Sequence, residues 1–431
     1  MPSSHPAAPA AATAGTAPGA PGGESASHAS QFALLGQRRF APFFWTQFLG
    51  AANDNLFKFA FTVLITYQLQ VAWLPPALAG LAIGALFILP FLLFSATSGQ
   101  LADKFDKARV MQFVKSLEIV IMLIAALGFT ASEVNTKVYL LLACVFLMGL
   151  HSTLFGPVKY AYLPQHLQEH ELTGGNGMVE MGTFVAILVG NVVGGLLIAL
   201  PGIGATVVAI SCLVVALLGR LTAQAVPASP STDPGLKVNL NAFSETWRNL
   251  KLAHGNLVVF RSLLGISWMW FFGAVFLAQF PAFAKEILHG DEHVASLLLV
   301  VFSIGIGVGS LMCELLSRRH VEIGLVPLGA IGMSVFAVDL YFAVGRVPLP
   351  PAGTAFWSLG AFIAEPRHWH VMADLALLAG SAGLYSVPMY ALIQLRAPAS
   401  HRARIIAANN ILNAVFMIVS SLLAGALLSA G

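Results

Sequence analysis

The run Gly50-Ala51-Ala52-Asn53-Asp54-Asn55-Leu56-Phe57-Lys58 sets an acid, a base and two amides inside a stretch otherwise rich in Phe, Leu and Ala. Asp54 and Lys58 are four residues apart, which on a helix gives one face with the acid N-terminal to the base, the better order for an ion pair. A charge at the centre of a bilayer costs about 2.5–3.5 kcal/mol or more, so such groups turn toward a bundle interior or a wet cavity and find partners there. Two readings fit. Asp54 and Lys58 form a self-neutralising pair that makes insertion tolerable, or Asn53, Asp54, Asn55 and Lys58 bind an ion or a polar headgroup. Asp54 lies roughly 20 Å into its helix at 1.5 Å per residue, close to the midplane.

A second charged set follows. Lys159, near the inner end of one span, and Glu180, about two turns into the next, share a depth and carry opposite charge, so they are expected to pair. Arg261, near the inner end of a later span, can exchange for Lys159 if the halves rock; a cation snorkelling at a helix end is the plain alternative for both. Asn176, Asn409, Asn410 and Asn413 are expected to bridge helices through their amides. Glu118 and Asp339 are placed toward span ends, reaching interfacial water. His151, His166 and His170 lack ligand spacing, so no metal site is expected. Cys144, Cys212 and Cys313 lie singly in apolar runs and read as buried core.

The elements that hold these residues are membrane helices. The 431 residues are 57% hydrophobic and 10% charged, with a mean hydropathy of +0.80, far from the roughly 25% charged of a soluble domain. Apolar runs without period-two alternation argue for helices over a barrel. The net charge of +3 is small and dispersed, which excludes nucleic acid as a partner. At about 20 residues per crossing, spans are expected near 41–70, 77–100, 109–131, 138–163, 173–199, 203–222, 257–283, 294–316, 322–345, 371–395 and 404–430. Residues 1–37 read as a disordered Ala/Pro/Gly/Ser tail, 38–222 as a six-helix bundle, 223–254 as a linker with an amphipathic helix (Phe243, Trp247, Leu250), and 255–431 as a five-span bundle. The second bundle is one helix short of the first, so a twelfth span is expected beyond Gly431.

With the N-terminus inside, the inner loops collect Arg38, Arg39, Lys104, Lys107, Arg109, Lys115, Arg220, Lys237, Arg248, Lys251, Arg318, Arg319, Arg396, Arg402 and Arg404. The outside keeps Lys137, Lys285, Arg346 and Arg367, as the positive-inside rule requires. A weak repeat joins the halves: residues 43–50 parallel 258–265, and 174–180 parallel 407–413, as in transporters with two halves related along the membrane normal.

Gly99-Gln100-Leu101-Ala102-Asp103-Lys104-Phe105-Asp106-Lys107-Ala108-Arg109 resembles the cytoplasmic loop signature of the major facilitator superfamily, with Asp106 where that pattern has glycine. Gly99 permits close helix approach, Asp103 can accept from helix N-terminal amides or from arginines of the other half, and Lys104, Lys107 and Arg109 anchor the loop. The span-1 run, Gly156-Pro157-Val158-Lys159-Tyr160, Leu172-Thr173-Gly174-Gly175-Asn176 with Glu180, and Arg402-Ala403-Arg404 through Asn413 together resemble the bacterial lysophospholipid transporter family, in the form fused to an acyltransferase and an acyl-carrier-protein (acyl-ACP) synthetase.

That resemblance implies an all-α major facilitator fold in the bacterial cytoplasmic (inner) membrane. It further implies import of lysophosphatidylethanolamine and lysophosphatidylglycerol from outer to inner leaflet for reacylation, with Na+ (or H+) as coupling ion and a functional link to the acylating enzymes. Asp54, Asn55 and Lys58 would meet the headgroup, while Lys159, Glu180, Arg261, Asn176, Asn409 and Asn413 would form a gate. Phe57, Phe61, Trp268, Trp270, Phe271 and Phe272 offer contacts for the chain or simply pack the core. A monomer among membrane lipids is expected. The rivals are a proton-coupled drug efflux transporter and the membrane portion of a bifunctional acylating enzyme. No catalysis is visible in these residues: His166, His170, His289 and His401 have no Asp five positions on.

Overall fold

The computed structural model describes residues 30 to 430 apart from 70, 75, 319 and 351–355. Residues 1–29 of the expected tail, and Arg319 of the expected inner set, lie outside the described residues. The end of that tail is ordered. Gln31–Gly36 form a 3-10 helix, and buried Gln31 is held by Glu314 Oε2 at 3.1 Å and the Leu311 carbonyl at 2.9 Å. Composition alone, dominated by the preceding Ala and Pro, hides that anchor.

The chain then runs through α1 (Ala41–Val63), α2 (Pro76–Lys104), α3 (Lys107–Thr130), α4 (Val134–His166), α5 (Glu169–Ile198), α6 (Gly204–Gln224), α7 (Ala242–His254), α8 (Leu257–Ala282), α9 (Glu292–Leu316), α10 (Leu325–Val344), α11 (Leu359–Ala364), α12 (Pro366–Arg396) and α13 (Arg402–Ala430). Eleven of these have twenty residues or more, matching the eleven spans read from the sequence. Ten described helices are long and apolar enough to cross a membrane. The polar run of α1 keeps it below that mark, and α1 is instead covered by α5 and α6.

Packing repeats between the halves. The α1–α5 pair recurs as α8–α13, α2–α4 as α9–α12, and α3–α4 as α10–α12, while the halves meet reciprocally through α5 on α9 and α2 on α13. The faint sequence repeat therefore reflects a pseudo-twofold relation. Among the described residues no helix of the second half repeats α6. Small residues set the closest approaches. A Cβ on Gly309 would sit 1.9 Å from the Gly380 carbonyl oxygen, so the backbones of α9 and α12 touch there.

At the end of the bundle carrying the 223–254 linker, Asp106 caps α3 through the Arg109 amide at 3.1 Å and accepts from the Ser229 amide at 3.0 Å. The acid that replaces the usual glycine thus makes the turn and ties down the linker. Gln100 and Asn239 exchange two bonds, at 2.9 and 2.7 Å. The linker's helix, α7, buries Glu245 and Asn249 and turns Phe243 and Trp247 outward.

Gly309→Val is expected to force α9 from α12 at the typical overpacking cost of about 1–3 kcal/mol. Its melting midpoint in detergent should fall by several degrees; an unchanged midpoint would show that the backbone contact does not support the second half.

Candidate functional site

The run in α1 divides its polar residues among three neighbours. Asn53, fully buried, donates to Glu118 Oε1 at 2.7 Å. Glu118 also receives Lys115 Nζ at 2.6 Å, and His151 Nε2 lies 3.1 Å from it. Gly50 makes this possible, since a Cβ there would meet the Lys115 ammonium at 2.5 Å. Glu118 and Lys115 are therefore not at an interface with water. They are 0% and 1% exposed, and Glu118 lies about 17 Å along α3 at 1.5 Å per residue. Sequence reasoning missed this cluster because lysines were assigned to loops; the visible signal was Lys115 and Glu118 three apart, on one helix face.

Asp54 faces α4. Ser152 Oγ donates to its Oδ2 at 2.5 Å, and the buried Oδ1 has no hydrogen-bond partner. Of the two readings, the self-neutralising Asp54–Lys58 pair is not formed: no ion pair joins them within 4.0 Å, and Lys58 Nζ stands 3.8 Å from the centre of the Phe87 ring. The cation turns to an aromatic face on α2, a contact worth about 2 kcal/mol when desolvated. Asn55 only returns a bond to the Ala51 carbonyl, at 2.7 Å.

Lys159 and Glu180 also do not pair directly. Lys159 Nζ donates to Thr183 Oγ1 at 3.1 Å, and Glu180 accepts from the Tyr160 hydroxyl at 2.6 Å. Both approach Tyr160, Lys159 Nζ at 5.0 Å from its ring centre and Glu180 through its hydroxyl, and that ring stacks on Tyr390 at 4.3 Å between centroids. Arg261 is exposed and joins neither. Thr183 in turn donates to Gln47 Oε1 at 3.1 Å. Around this group several buried polar atoms lack a hydrogen-bond partner: the donors Gln47 Nε2, Trp270 Nε1 and Asn409 Nδ2, and the acceptor Asn409 Oδ1. Trp270 and Asn409 approach the Tyr390 hydroxyl. The result is a polar cluster contributed by α1, α4, α5, α8, α12 and α13. Beside it Phe184, Trp270, Phe272, Phe276, Phe302 and Met333, among other apolar side chains, wall a narrow cleft whose cavity volume is about 20 Å³. Of the six aromatics singled out in the sequence, Phe57 and Phe61 are sealed core, whereas Trp270 and Phe272 line the cleft.

The asparagines split likewise. Asn176 and Gln394 exchange bonds at 2.7 and 3.1 Å, joining α5 to α12, and Asn413 accepts from Ser267 at 2.8 Å. Asn410 Nδ2 is unpaired and packs against Gly156.

At the linker end, Asp103 accepts from the Ala403 and Arg404 amides at the start of α13, at 3.1 and 3.3 Å, and from Arg404 Nε at 3.0 Å. Both partner types expected for it are present. Gly99 lets α13 come close enough, because a Cβ there would meet the Arg404 Cα at 2.9 Å. Arg404 also reaches Asp233 Oδ2 at 2.9 Å. Lys107 is buried without a hydrogen-bond partner for its Nζ, Lys104 is half-buried, Arg109 is exposed, and Arg402 reaches the Ala397 carbonyl at 3.4 Å. Among the described residues, every side-chain hydrogen bond between 38–222 and 255–430 lies at this end.

Curated relatives include the lysophospholipid transporter LplT of Serratia proteamaculans (strain 568), 26% identical over 356 residues that cover 81% of this chain and 78% of that protein. LplT of Escherichia coli (strain SE11) is 27% identical over 360 residues, with the same coverage. Among solved structures, the proton:xylose symporter XylE superposes with a TM-score of 0.64 at 14% identity, covering 91% of this chain and 87% of XylE. An outward-facing bacterial homologue of the iron transporter ferroportin gives 0.60 at 16% identity, covering 90% and 92%. The family model described as Major Facilitator Superfamily matches residues 43–421. With repeated helix pairs, a polar cluster where the halves meet and this match over most of its length, the chain belongs to the Major Facilitator Superfamily and is a multi-pass membrane protein.

Proposed function

We propose that this chain moves lysophospholipids across the bacterial cytoplasmic membrane, taking lysophosphatidylethanolamine and lysophosphatidylglycerol from the outer to the inner leaflet by alternating access. The observation that carries this reading is the meeting of a polar cluster and an apolar wall on consecutive residues of α5: Thr183 accepts from Lys159, and Phe184 faces the apolar cleft. A lysophospholipid is one acyl chain on a charged head, and it needs both environments side by side. Lys159, Gln47, Trp270 and Asn409 offer donors to a phosphate, while Glu180 and Asp54 offer acceptors to an ammonium. The relatives named lysophospholipid transporter support the cargo class.

The concentration of basic residues at the linker end supports a cytoplasmic placement for it, and for the N-terminus. The polar ties between the halves at that end support an outward-facing arrangement, with Asp103, Arg404, Asn176 and Gln394 as the inner closure. Na+ (or H+) drives the cycle, and Asp54, whose Oδ1 has no hydrogen-bond partner, is the group suited to take the ion. The carrier works as a monomer, and its cargo passes to an acyltransferase and acyl-ACP synthetase that restore the second chain.

Spheroplasts expressing the chain should accumulate labelled lysophosphatidylethanolamine, several-fold faster under an inward Na+ gradient. Drug resistance without lipid uptake would reassign the protein to efflux. Asp54→Asn should lower uptake at least tenfold at unchanged membrane level and melting midpoint. Glu118→Gln should instead lower stability, because removing one partner of a buried charge pair costs about 3–5 kcal/mol. Normal uptake by Asp54→Asn would remove that residue from the transport cycle. A cysteine introduced by Ser244→Cys on α7 should resist an impermeant maleimide in intact spheroplasts and react in inverted vesicles; the opposite pattern would reverse the orientation.

A further inference from the structure

A second polar cluster sits at the far end of the bundle from the linker, between α10 and α12. Gly329 and Gly332 seat α10 against Ser381 and Tyr385 of α12. The antiparallel register continues from there and brings Asp339 level with Asp374, with His370 one turn away. His370 Nε2 is 3.1 Å from Asp339 Oδ2 and 3.5 Å from Asp374 Oδ2. One ligand atom from each of the three lies within 4.8 Å of the others. Asp374 is 3% exposed, and its Oδ2 has no hydrogen-bond partner although it points into the cluster. A buried carboxylate oxygen left that way is costly unless a cation meets it. The Asp339 and His370 side chains are 48% and 41% exposed, which leaves the cluster open to the medium.

Metal bonds of about 2.0–2.2 Å hold neighbouring ligand atoms about 3.0–3.6 Å apart, and both His–Asp separations are already of this size. Two carboxylate oxygens and one imidazole nitrogen suit Mn2+, Fe2+, Co2+ or Zn2+ better than the all-oxygen cages that select Ca2+ or Mg2+. We propose that Asp339, His370 and Asp374 form a binding site for a divalent transition-metal ion. The ion cross-links α10 to α12 and leaves its remaining positions to water. The site is separate from the polar cluster around Lys159 and from Asp54, so it stands or falls independently of the transport reading.

The test is metal binding by the purified full chain in detergent, with any affinity tag removed. Co2+ is followed by visible absorption and Mn2+ by electron paramagnetic resonance. The wild type should bind one ion per chain saturably, and His370→Gln and Asp374→Asn should each weaken binding at least about tenfold. Asp339→Asn, at the exposed edge where folding is least at risk, should do the same while eluting as the wild type does on gel filtration. No saturable binding up to millimolar metal, or equal binding by all three variants, would overturn the site and leave His370 as a protonated bridge between two carboxylates.

Discussion

A carboxylate sealed away from water must be met by positive charge and donors, and the first half of this protein is arranged around one such group. Glu118 draws Lys115 from its own helix, Asn53 from α1 and His151 from α4. Three helices are thereby fixed in rotation about one point. The arrangement explains residues that look unrelated in sequence, including the glycine at position 50, whose missing side chain is the space the Lys115 ammonium fills. Such a pair adds little net stability over a well-packed apolar core, but losing one member strands the other in a medium that cannot solvate it. Its contribution is to the uniqueness of the packing.

Close backbone approach occurs within a half and also, at Gly99 and Gly177, between halves, and the contacts between halves add polar ties to it. Inside the second half, α9 and α12 touch backbone to backbone at Gly309 and Gly380. Interdigitated surfaces of that sort do not slide. Between the halves at the linker end, closure combines the close approach at Gly99 with charge-assisted hydrogen bonds at Asp103 and the Asn176–Gln394 amide pair. Each of those hydrogen bonds is worth about 1–3 kcal/mol net, and water can replace each of them once the halves part. Rigid bodies joined by exchangeable polar ties are what a rocking carrier requires.

Much of this was legible in the sequence. The eleven long helices follow from apolar length, and the Asp103 contacts follow from a motif whose residue types allow few partners. The pairing of charges was not legible. Asp54 with Lys58, and Lys159 with Glu180, were matched by spacing and depth. Spacing does not reveal that a Ser, a Phe ring or a Tyr hydroxyl from another helix lies closer. Glu118 was misplaced for the same reason: burial by neighbouring helices is a tertiary property, and a lysine near a span end looks the same whether it faces a loop or a buried acid.

These substitutions change what the run from Gly50 to Lys58 can do. Had Asp54 and Lys58 neutralised each other, both would be spent, and a cargo or ion would have to break their pair before binding. Instead Asp54 keeps one oxygen without a hydrogen-bond partner, and Lys58 rests on Phe87, a partner that holds a cation without cancelling its charge. Asn53 and Gly50, on the neighbouring face, are committed to the Glu118 cluster. The helix therefore carries side by side a stripe committed to the Glu118 cluster and a stripe on which Asp54 Oδ1 has no hydrogen-bond partner. The first holds α1 in place without using the charges of the second.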